Sequence, residues 1–324
     1  MSHAIFVDKP GDASVLSYRE YDPGAPGAGQ LRVKVEAAGV NFIDTYQRSG
    51  LYPRATPFVL GLEGAGRIEA VGADINGWKV GQRVAWSGQP GSYAEHIVLK
   101  PDQLIAVPDG VDTELAAAVL LQGMTAHSLA TAVHNTQPGE TVLVHAAAGG
   151  TGQLLVQELK RAGARVIGTC SSGKVELAQQ AGCDHVIRYD REEIVAEVKR
   201  VNNGRGVDVV FDSVGKSTFD ASLASLRPRG LLVLFGAASG PVPPFDPQRL
   251  NQGGSLYLTR PTLFHYTATR AELEHHANAV FDGIKTGALR ARIAGRFPLS
   301  QAAKAHEELE SRRSAGKLLL IPGS

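Results

Sequence analysis

The chain has 324 residues, of which 43% are hydrophobic and 20% are charged, with a net charge of +1, so about two globular domains are expected at roughly 150 residues each. No block of like charge, no basic-then-apolar leader and no run of about 18 apolar residues occurs, which argues against a nucleic-acid-binding arm, a secretory signal and a membrane-spanning helix. The two cysteines, Cys170 and Cys183, are too few for a disulfide scaffold or a cysteine-based zinc site and fit a reducing cytoplasm.

The first 110 residues predict short strands separated by proline and glycine turns, and no helical period is evident among them. The predicted strands are Ala4–Val7, Leu31–Ala38, Val59–Val71, Gln82–Ala85 and Tyr93–Val98. This pattern is typical of a β-rich, barrel-like domain.

Beyond residue 110, a helix over residues 112–133 is followed by alternating strands and helices. Strands are predicted at Thr141–His145, Arg165–Thr169, His185–Ile187, Val207–Phe211 and Leu231–Phe235, with helices at Gly152–Ala162, Lys174–Ala181 and Arg191–Val201. The last two strands are wholly apolar, as expected for central strands of a parallel sheet that is covered on both faces. The alternation predicts a doubly wound α/β domain.

The C-terminal residues are too few for a domain of their own and are expected to complete the first one. They predict a helix at Arg270–Thr286, a strand at Arg292–Phe297, a helix at Ser300–Ser311 and a strand at Lys317–Ile321. The predicted domains are therefore residues 1–124 completed by 262–324, and residues 125–261.

A dinucleotide fingerprint follows the strand Thr141–His145. The pattern Ala147-x-Gly149-x-x-Gly152 has the small residues that a tight turn, a close backbone approach to a pyrophosphate and close helix–strand packing require. The N–H groups and the dipole of the following helix then favour the phosphates. The alternative interpretation is a tight turn without a ligand.

The end of the next strand favours NADP(H) over NAD(H). NAD-binding chains carry an acidic residue there for the ribose 2′-hydroxyl, whereas Arg165–Thr169 is followed by Cys-Ser-Ser-Gly-Lys. Ser171, Ser172 and Lys174 can instead hold a 2′-phosphate by hydrogen bonds and charge. Tyr189 is interpreted either as an adenosine contact or as a surface tyrosine.

Three motifs in chain order resemble the medium-chain dehydrogenase/reductase superfamily: residues 61–66 (GLEGAG), residues 89–95 (QPGSYAE) and the fingerprint loop. The zinc alcohol dehydrogenases of that superfamily have a histidine ligand where this chain has Leu62, and their cysteine ligand and four-cysteine lobe are missing here. Because leucine cannot donate to zinc, metal-free chemistry is expected.

Residues 41–53 (NFIDTYQRSGLYP), together with segments 212–215, 235–236, 259–261 and 309–312, are similar to the zinc-less, zeta-crystallin-like NADPH:quinone oxidoreductases. The resemblance implies a homodimer of chains with a GroES-like β-barrel catalytic domain and a Rossmann doubly wound parallel-sheet domain that binds NADPH. It implies Asn41, Tyr46 and Tyr52 on the substrate side. The implied cofactor contacts are Thr125, Ala147, Gly149, Gly150, Thr151, Gly152, Ser171, Ser172, Lys174, Tyr189, Ser213, Phe235 and Arg312.

The activity so implied is reduction of a quinone by hydride transfer from NADPH. A quinone is electrophilic enough to need no metal, so the protein positions and shields the reactants. Asn41 is expected to donate to a quinone oxygen and Tyr46 to donate or relay a proton, and no general acid is identified. In the alternative interpretation, Asn41 caps a loop and the tyrosines pack.

Two other functions stay open. An enone or enoyl reductase of the same fold needs the same electrophile geometry. An NADPH-binding protein with a structural or RNA-binding role is the other, although the net charge of +1 and the absence of a basic stripe argue against nucleic acid as the main partner. The expected partner is a small quinone or enone, in the cytoplasm and without a membrane.

Overall fold

The computed structural model describes residues 2–311 and 313–323, which form two compact units. One unit runs up to Met124 and resumes at Thr269, and the other is Thr125–Ala268. The sequence places the return to the first unit at residue 262, a few residues earlier. Arg312, one of the implied cofactor contacts, lies outside the described residues.

Strands account for most of the regular structure of the first unit and alternate with helices in the second. The strands of the described chain are β1 His3–Val7, β2 Leu16–Glu20, β3 Leu31–Val40, β4 Phe58–Val59, β5 Glu63–Val71, β6 Arg83–Ser87, β7 His96–Leu99, β8 Ile105–Ala106, β9 Thr141–Val144, β10 Arg165–Cys170, β11 His185–Arg188, β12 Val207–Asp212, β13 Leu226–Leu234, β14 Tyr257–Thr259, β15 Ile293–Pro298 and β16 Lys317–Ile321.

The helices are α1 Phe42–Ser49, α2 Thr113–Ser128, α3 Gly150–Arg161, α4 Val175–Ala181, α5 Ile194–Val201, α6 Phe219–Ala224, α7 Gln248–Gln252, α8 Arg270–Thr286 and α9 Ala302–Glu310. The prediction for α8 matches its observed bounds. Helix α5 begins three residues later than predicted, because the Glu193 side chain caps it by accepting from the N–H groups of Val195 and Ala196 at 3.2 and 2.7 Å.

The first unit contains a seven-stranded sheet in the order β15-β16-β3-β5-β6-β8, with β7 paired to β3, and a three-stranded sheet β2-β1-β4. The C-terminal strand β16 pairs antiparallel with β3. Its residues Leu318 and Leu320 join Val33, Trp86 and Tyr93 in one buried cluster. The last residues of the chain therefore complete the sheet and the core of the unit that the N-terminal residues begin.

Helix α1 is absent from the sequence prediction. Its buried residues are Asp44, Thr45 and Arg48, so the face that packs inward is polar. Hydrophobic periodicity detects helices through an apolar stripe, and α1 has none on its buried side. The helix is held instead by the buried hydrogen bonds described below.

The predicted strand Val59–Val71 is two strands, β4 and β5, because the chain turns at Gly61. This glycine has φ +94°, and a Cβ atom on it would lie 2.2 Å from Tyr93 Cδ1 and 2.7 Å from Tyr93 N. Only glycine satisfies both the left-handed backbone and the close approach. The predicted strand Tyr93–Val98 begins later, as β7 at His96, because the residues before it bond to β1 in an isolated bridge: Ile5 N–H donates to the Tyr93 carbonyl and Glu95 N–H to the His3 carbonyl, at 2.8 and 2.9 Å.

The second unit is a six-stranded sheet in the order β11-β10-β9-β12-β13-β14, and every pair in it is parallel. Helices α3 and α4 pack on each other, as do α5 and α6. Strand β9 is fully buried, and the apolar strands β12 and β13 both lie inside the sheet. Burial on both faces explains why these strands lack an alternating pattern.

Helix α2 and the π-helical turn that follows it form one apolar segment, Thr113–Val133. Among the described helices it alone is long and apolar enough to cross a membrane, and 61% of its most apolar 18-residue stretch is buried in the protein. A helix that is apolar all round is either a core helix or a membrane span, and burial of this kind is typical of a core helix. Polar residues such as Glu114 and Gln122 interrupt the segment, so it contains no unbroken run of about 18 apolar residues.

Candidate functional site

The carboxyl ends of five neighbouring parallel strands, β11, β10, β9, β12 and β13, meet at one edge of the second unit's sheet. The loops that leave this edge contain the fingerprint and the segments around residues 171–174, 189, 213 and 235. Strand β9 lies between β10 and β12, so the strand order reverses beside the fingerprint loop. Ligands of open parallel sheets bind at such a switch point, outside the carboxyl ends of the strands.

The fingerprint loop is a tight turn in which Gly152 has no room for a side chain. Ala146 has φ +52°, its carbonyl accepts from the N–H of Gly149 at 2.9 Å, and a Cβ atom on Gly152 would lie 2.2 Å from that carbonyl oxygen. Gly149 caps helix α3, which begins at Gly150 and continues through Thr151. The first N–H groups of a helix have no partner within it, so this cradle fits the pyrophosphate of a dinucleotide.

A buried polar chain lies directly beneath the fingerprint loop. The Ser222 hydroxyl donates to Asp212 Oδ2 at 2.7 Å, so His145 Nε2, 3.0 Å away, donates to Ser222, and His145 Nδ1 accepts from the Thr169 hydroxyl at 3.1 Å. Burial lowers the pKa of His145, while the Asp212 carboxylate acts in the opposite direction. The neutral imidazole links the ends of β9, β10 and β12 and holds the loops that leave them.

Ser213 and Phe235 follow the adjacent strands β12 and β13 and lie close together. The N–H of Phe235 donates to the Asp212 carbonyl at 2.8 Å, and a Cβ atom on Gly236 would lie 2.3 Å from the Ser213 carbonyl oxygen. Both residues are half-buried. Thr125 lies in helix α2 and is also half-buried.

The residues predicted for the 2′-phosphate follow β10 and β11. Ser171 follows β10 and caps a single helical turn, Ser172–Lys174, while the N–H of Tyr189 donates to the Cys170 carbonyl at 3.1 Å. Lys174 is half-buried and Tyr189 is 51% exposed. A lysine, two serines and a tyrosine thus gather at the ends of two paired strands, and this donor set fits a phosphate.

The structure adds a carboxylate to this group that sequence reasoning missed. Asp190 Oδ1 accepts from the backbone N–H of Ser172 at 2.9 Å and from its hydroxyl at 3.0 Å. The pattern typical of NAD-binding chains places the acidic residue at the end of the second strand, here β10, whereas Asp190 follows the third strand, β11. The parallel pairing of β10 and β11 brings it to the same place.

In the first unit, Asn41 belongs to a buried ion-pair network. Lys317 Nζ lies 2.5 Å from Glu63 Oε2 and donates to Asn41 Oδ1 at 2.7 Å, and Asn41 Nδ2 donates to Glu63 Oε2 at 2.9 Å and to the Gly39 carbonyl at 3.1 Å. Glu63 Oε1 accepts from the N–H of Leu121 at 2.7 Å. Each charge is paired and hydrogen-bonded, as burial of both side chains requires.

A second buried chain connects helices α1 and α9. Tyr93 donates to Asp44 Oδ2 at 2.9 Å, His306 Nε2 lies 3.1 Å from the Tyr93 hydroxyl, and His306 Nδ1 lies 3.1 Å from Arg48 Nη1. Arg48 also pairs with both carboxylate oxygens of Glu310, at 3.0 and 2.8 Å. Burial raises the pKa of Asp44 to about 7 and lowers that of His306 to about 3.

Asn41, Tyr46 and Tyr52 are brought together on helix α1 and its flanks. Asn41 is the N-cap of α1, and the N–H of Tyr52 donates to the Tyr46 carbonyl at 3.0 Å. The rings of Tyr46 and Tyr52 meet edge to face with centroids 5.3 Å apart, and Tyr52 is 38% exposed. The amide of Asn41 is fully engaged within the protein, so this residue fixes the start of the helix that carries Tyr46.

The residues around Leu62 do not fit a zinc ion. Leu62 offers only a buried hydrocarbon, and both oxygens of the neighbouring Glu63 accept hydrogen bonds from Lys317, Asn41 and the Leu121 N–H. Zinc requires nitrogen, sulfur or oxygen donors with available lone pairs. The ammonium of Lys317 supplies the positive charge that Glu63 faces in this chain.

Two family models match the chain. One, for the alcohol dehydrogenase GroES-like domain, covers residues 27–109, and the other, for zinc-binding dehydrogenases, covers residues 150–276. With the all-parallel sheet of the second unit, these matches confirm the predicted fold class, a GroES-like domain together with a Rossmann domain.

Individual proteins match over almost the whole chain. A quinone oxidoreductase of Pseudomonas aeruginosa is 47% identical over 96% of this chain and 97% of its own length, and a 2-haloacrylate reductase of a Burkholderia species is 39% identical over 99% of both. The crystal structure of Escherichia coli quinone oxidoreductase complexed with NADPH is 40% identical, with a TM-score of 0.96 over 99% of this chain and 100% of that one.

Proposed function

Because this chain belongs to the medium-chain dehydrogenase/reductase superfamily and, within it, to the quinone oxidoreductases, we propose that it reduces quinones with NADPH. The observation that carries the proposal is the fingerprint cradle at the start of α3, with Ser171, Ser172 and Lys174 gathered at the adjacent strand end. The cradle suits the pyrophosphate and the second group suits the 2′-phosphate. The similarity to a quinone oxidoreductase complexed with NADPH supports the same choice of cofactor.

NADPH supplies a hydride, and reduction of a quinone to a hydroquinone takes up one proton besides it. We assign the substrate contacts to Tyr46 and Tyr52, whose hydroxyl groups donate to a quinone oxygen as negative charge develops on it. Asn41 positions the helix that carries Tyr46 and does not contact the substrate, because its amide hydrogen-bonds the start of α1 to Glu63 and Lys317. Since a quinone is electrophilic without a Lewis acid, the absence of zinc donors around Leu62 is compatible with this chemistry.

The test is a substrate panel with purified chain. We expect oxidation of NADPH with 1,4-benzoquinone or 1,4-naphthoquinone, faster than with NADH, measured by loss of the reduced-nicotinamide absorbance. Tyr46→Phe removes the hydroxyl and keeps the ring, so it should lower kcat more than it weakens NADPH binding. Tight binding of NADPH without turnover of any acceptor would favour the structural or RNA-binding alternative.

A second candidate is reduction of an activated carbon–carbon double bond. The observation that favours it is the 39% identity to a 2-haloacrylate reductase over nearly the full length of both chains. An enone also accepts hydride without a metal when its carbonyl oxygen receives a hydrogen bond. Comparing 1,4-naphthoquinone with a small enone and with 2-chloroacrylate at equal concentrations distinguishes the two activities by the ratio of kcat/KM values.

We further propose that the chain works as a cytoplasmic homodimer. Strand β14 is the last strand of its sheet, and Tyr257 on it is 62% exposed. An edge strand offers unpaired N–H and C=O groups to a second copy. Pairing of two β14 strands would bury this tyrosine and extend both sheets.

A further inference from the structure

Asp190 lies at the end of β11, directly after Tyr189, and contacts the segment that follows β10. Its carboxylate accepts both the backbone N–H and the hydroxyl of Ser172, at 2.9 and 3.0 Å. Ser172 is one of the two serines assigned above to the 2′-phosphate. We propose that Asp190 is a specificity-determining residue that narrows the margin by which this chain prefers NADPH over NADH. The proposal rests on the NADPH-dependent function proposed above.

The Asp190 carboxylate is negatively charged at neutral pH. Asp190 is exposed, and the hydrogen bond from the Ser172 hydroxyl is the main cause that lowers its pKa, with Arg191 acting in the same direction. Asp190 and Lys174 also act on one common group: besides burial, the Asp190 charge raises the pKa of the Cys170 thiol and the Lys174 charge lowers it. Opposite charges therefore flank the end of β10.

The two charges have opposite effects on the binding of NADPH. Lys174 attracts the 2′-phosphate, but Asp190 repels it, since like charges at short range disfavour one another. Asp190 also accepts the two hydrogen bonds that Ser172 would otherwise donate to the phosphate. NADPH binding must displace these bonds or rely on the remaining donors.

For NADH, the same carboxylate is useful. In NAD-binding domains an acidic residue accepts a hydrogen bond from the ribose 2′-hydroxyl, ordinarily from the end of the second strand. Here the end of that strand is Cys170-Ser171-Ser172 and lacks a carboxylate. Asp190 brings one to the same place from the end of the third strand, so the site contains a group for each form of the coenzyme.

The substitution Asp190→Asn separates charge from shape, because the amide keeps an Oδ1 acceptor for Ser172 while the negative charge is lost. Full-length protein is titrated by calorimetry with NADPH and NADH, and with adenosine 2′,5′-bisphosphate and 5′-AMP, which probe the adenosine end alone. We expect about threefold to tenfold tighter binding of NADPH and of the bisphosphate, and about twofold or more weaker binding of NADH.

Glu197→Gln is the matched control, since it makes the same charge change on helix α5, where Glu197 pairs with Arg200 at 2.8 Å. It should leave the ratio of the two dissociation constants unchanged. If Asp190→Asn left the ratio of the two dissociation constants unchanged, for example by weakening both coenzymes equally, the inference would be overturned. Asp190 would then only stabilise the turn at Ser172. If the unmodified chain bound neither coenzyme, the proposed function would fall with it.

Discussion

Lys174 is the cation that we assign to the 2′-phosphate, so its removal should separate the two coenzymes. A charge-assisted hydrogen bond to phosphate is lost in Lys174→Ala, and we expect NADPH to bind roughly tenfold to a hundredfold more weakly. NADH, which has a hydroxyl at this position, should change by less than about threefold. Dissociation constants from fluorescence titration with both coenzymes measure the difference.

Lys199→Ala provides the comparison, because Lys199 lies in the last turn of α5 and is exposed. Its effect on both coenzymes should be small and equal. Equal losses for NADPH and NADH in Lys174→Ala would contradict the phosphate assignment and leave Lys174 as a structural residue of the turn.

Ala146 is the residue of the fingerprint loop whose backbone is strained. Its φ of +52° is a left-handed conformation, which costs a non-glycine residue about 1–2 kcal/mol. Ala146→Gly relieves this strain but adds roughly 0.5–1 kcal/mol of backbone entropy to the unfolded chain. We expect a free energy of unfolding that is unchanged or up to about 1 kcal/mol higher, measured by urea denaturation.

Ala148→Gly makes the same chemical change two residues later, where the backbone is not left-handed. It should lower the free energy of unfolding by about 1 kcal/mol or more, because it adds entropy and removes a buried methyl group without relieving strain. Equal destabilisation by both substitutions would show that the turn at Ala146 is not the strained point of the loop.

At the scale of secondary-structure elements, α1 and α9 are joined by two titratable groups whose pKa values move in opposite directions. Burial raises the pKa of Asp44 to about 7 and lowers that of His306 to about 3, and Tyr93 hydrogen-bonds to both. From about pH 4 to 6.5, folded Asp44 keeps a proton that the unfolded chain releases, so its contribution to stability falls as pH rises. His306 stays neutral in the folded state while the unfolded chain binds a proton, so its contribution rises.

The two contributions oppose each other, and removing one should reveal the other. In Asp44→Asn the free energy of unfolding should rise with pH, relative to the unmodified chain, by up to about 1.4 kcal/mol per pH unit between pH 4.5 and 6.5. Urea denaturation at three pH values in this range measures the slope. His306→Gln should give the opposite sign, and parallel curves for both variants would rule out this pair as the source.

Across the whole molecule, the exposed edge strand β14 predicts self-association. Light scattering should give a mass about twice the 34.2 kDa of one chain, and Tyr257→Lys should shift the mass toward one chain, since a charged side chain on an edge strand opposes pairing. Tyr18→Lys is the matched control, because Tyr18 lies on β2, an edge strand of the other unit, and is 42% exposed. A dimer that tolerates Tyr257→Lys would place the interface elsewhere.

The parts that the sequence predicted well are those whose signal is local. The alternation of apolar strands with helices and the fingerprint between β9 and α3 can both be recognised from neighbouring residues. They determined the fold class and the class of cofactor, because burial on both faces of a parallel sheet and a close approach to a phosphate each constrain residues that are adjacent in the chain.

Only the tertiary structure decided what distant residues do together. The buried face of α1 is polar and has no apolar periodicity. In the sequence, Lys317 is a single charge beside an apolar run; the pairing of β16 with β3 brings it to Glu63 and Asn41. Asp190 reads as a loop carboxylate until β11 pairs with β10 and brings it to Ser172. Such contacts depend on strand order, which is fixed only when the sheets assemble. Strands β3 and β16 lie at opposite ends of the chain, and the parallel neighbours β10 and β11 are joined through a helix rather than by a short turn.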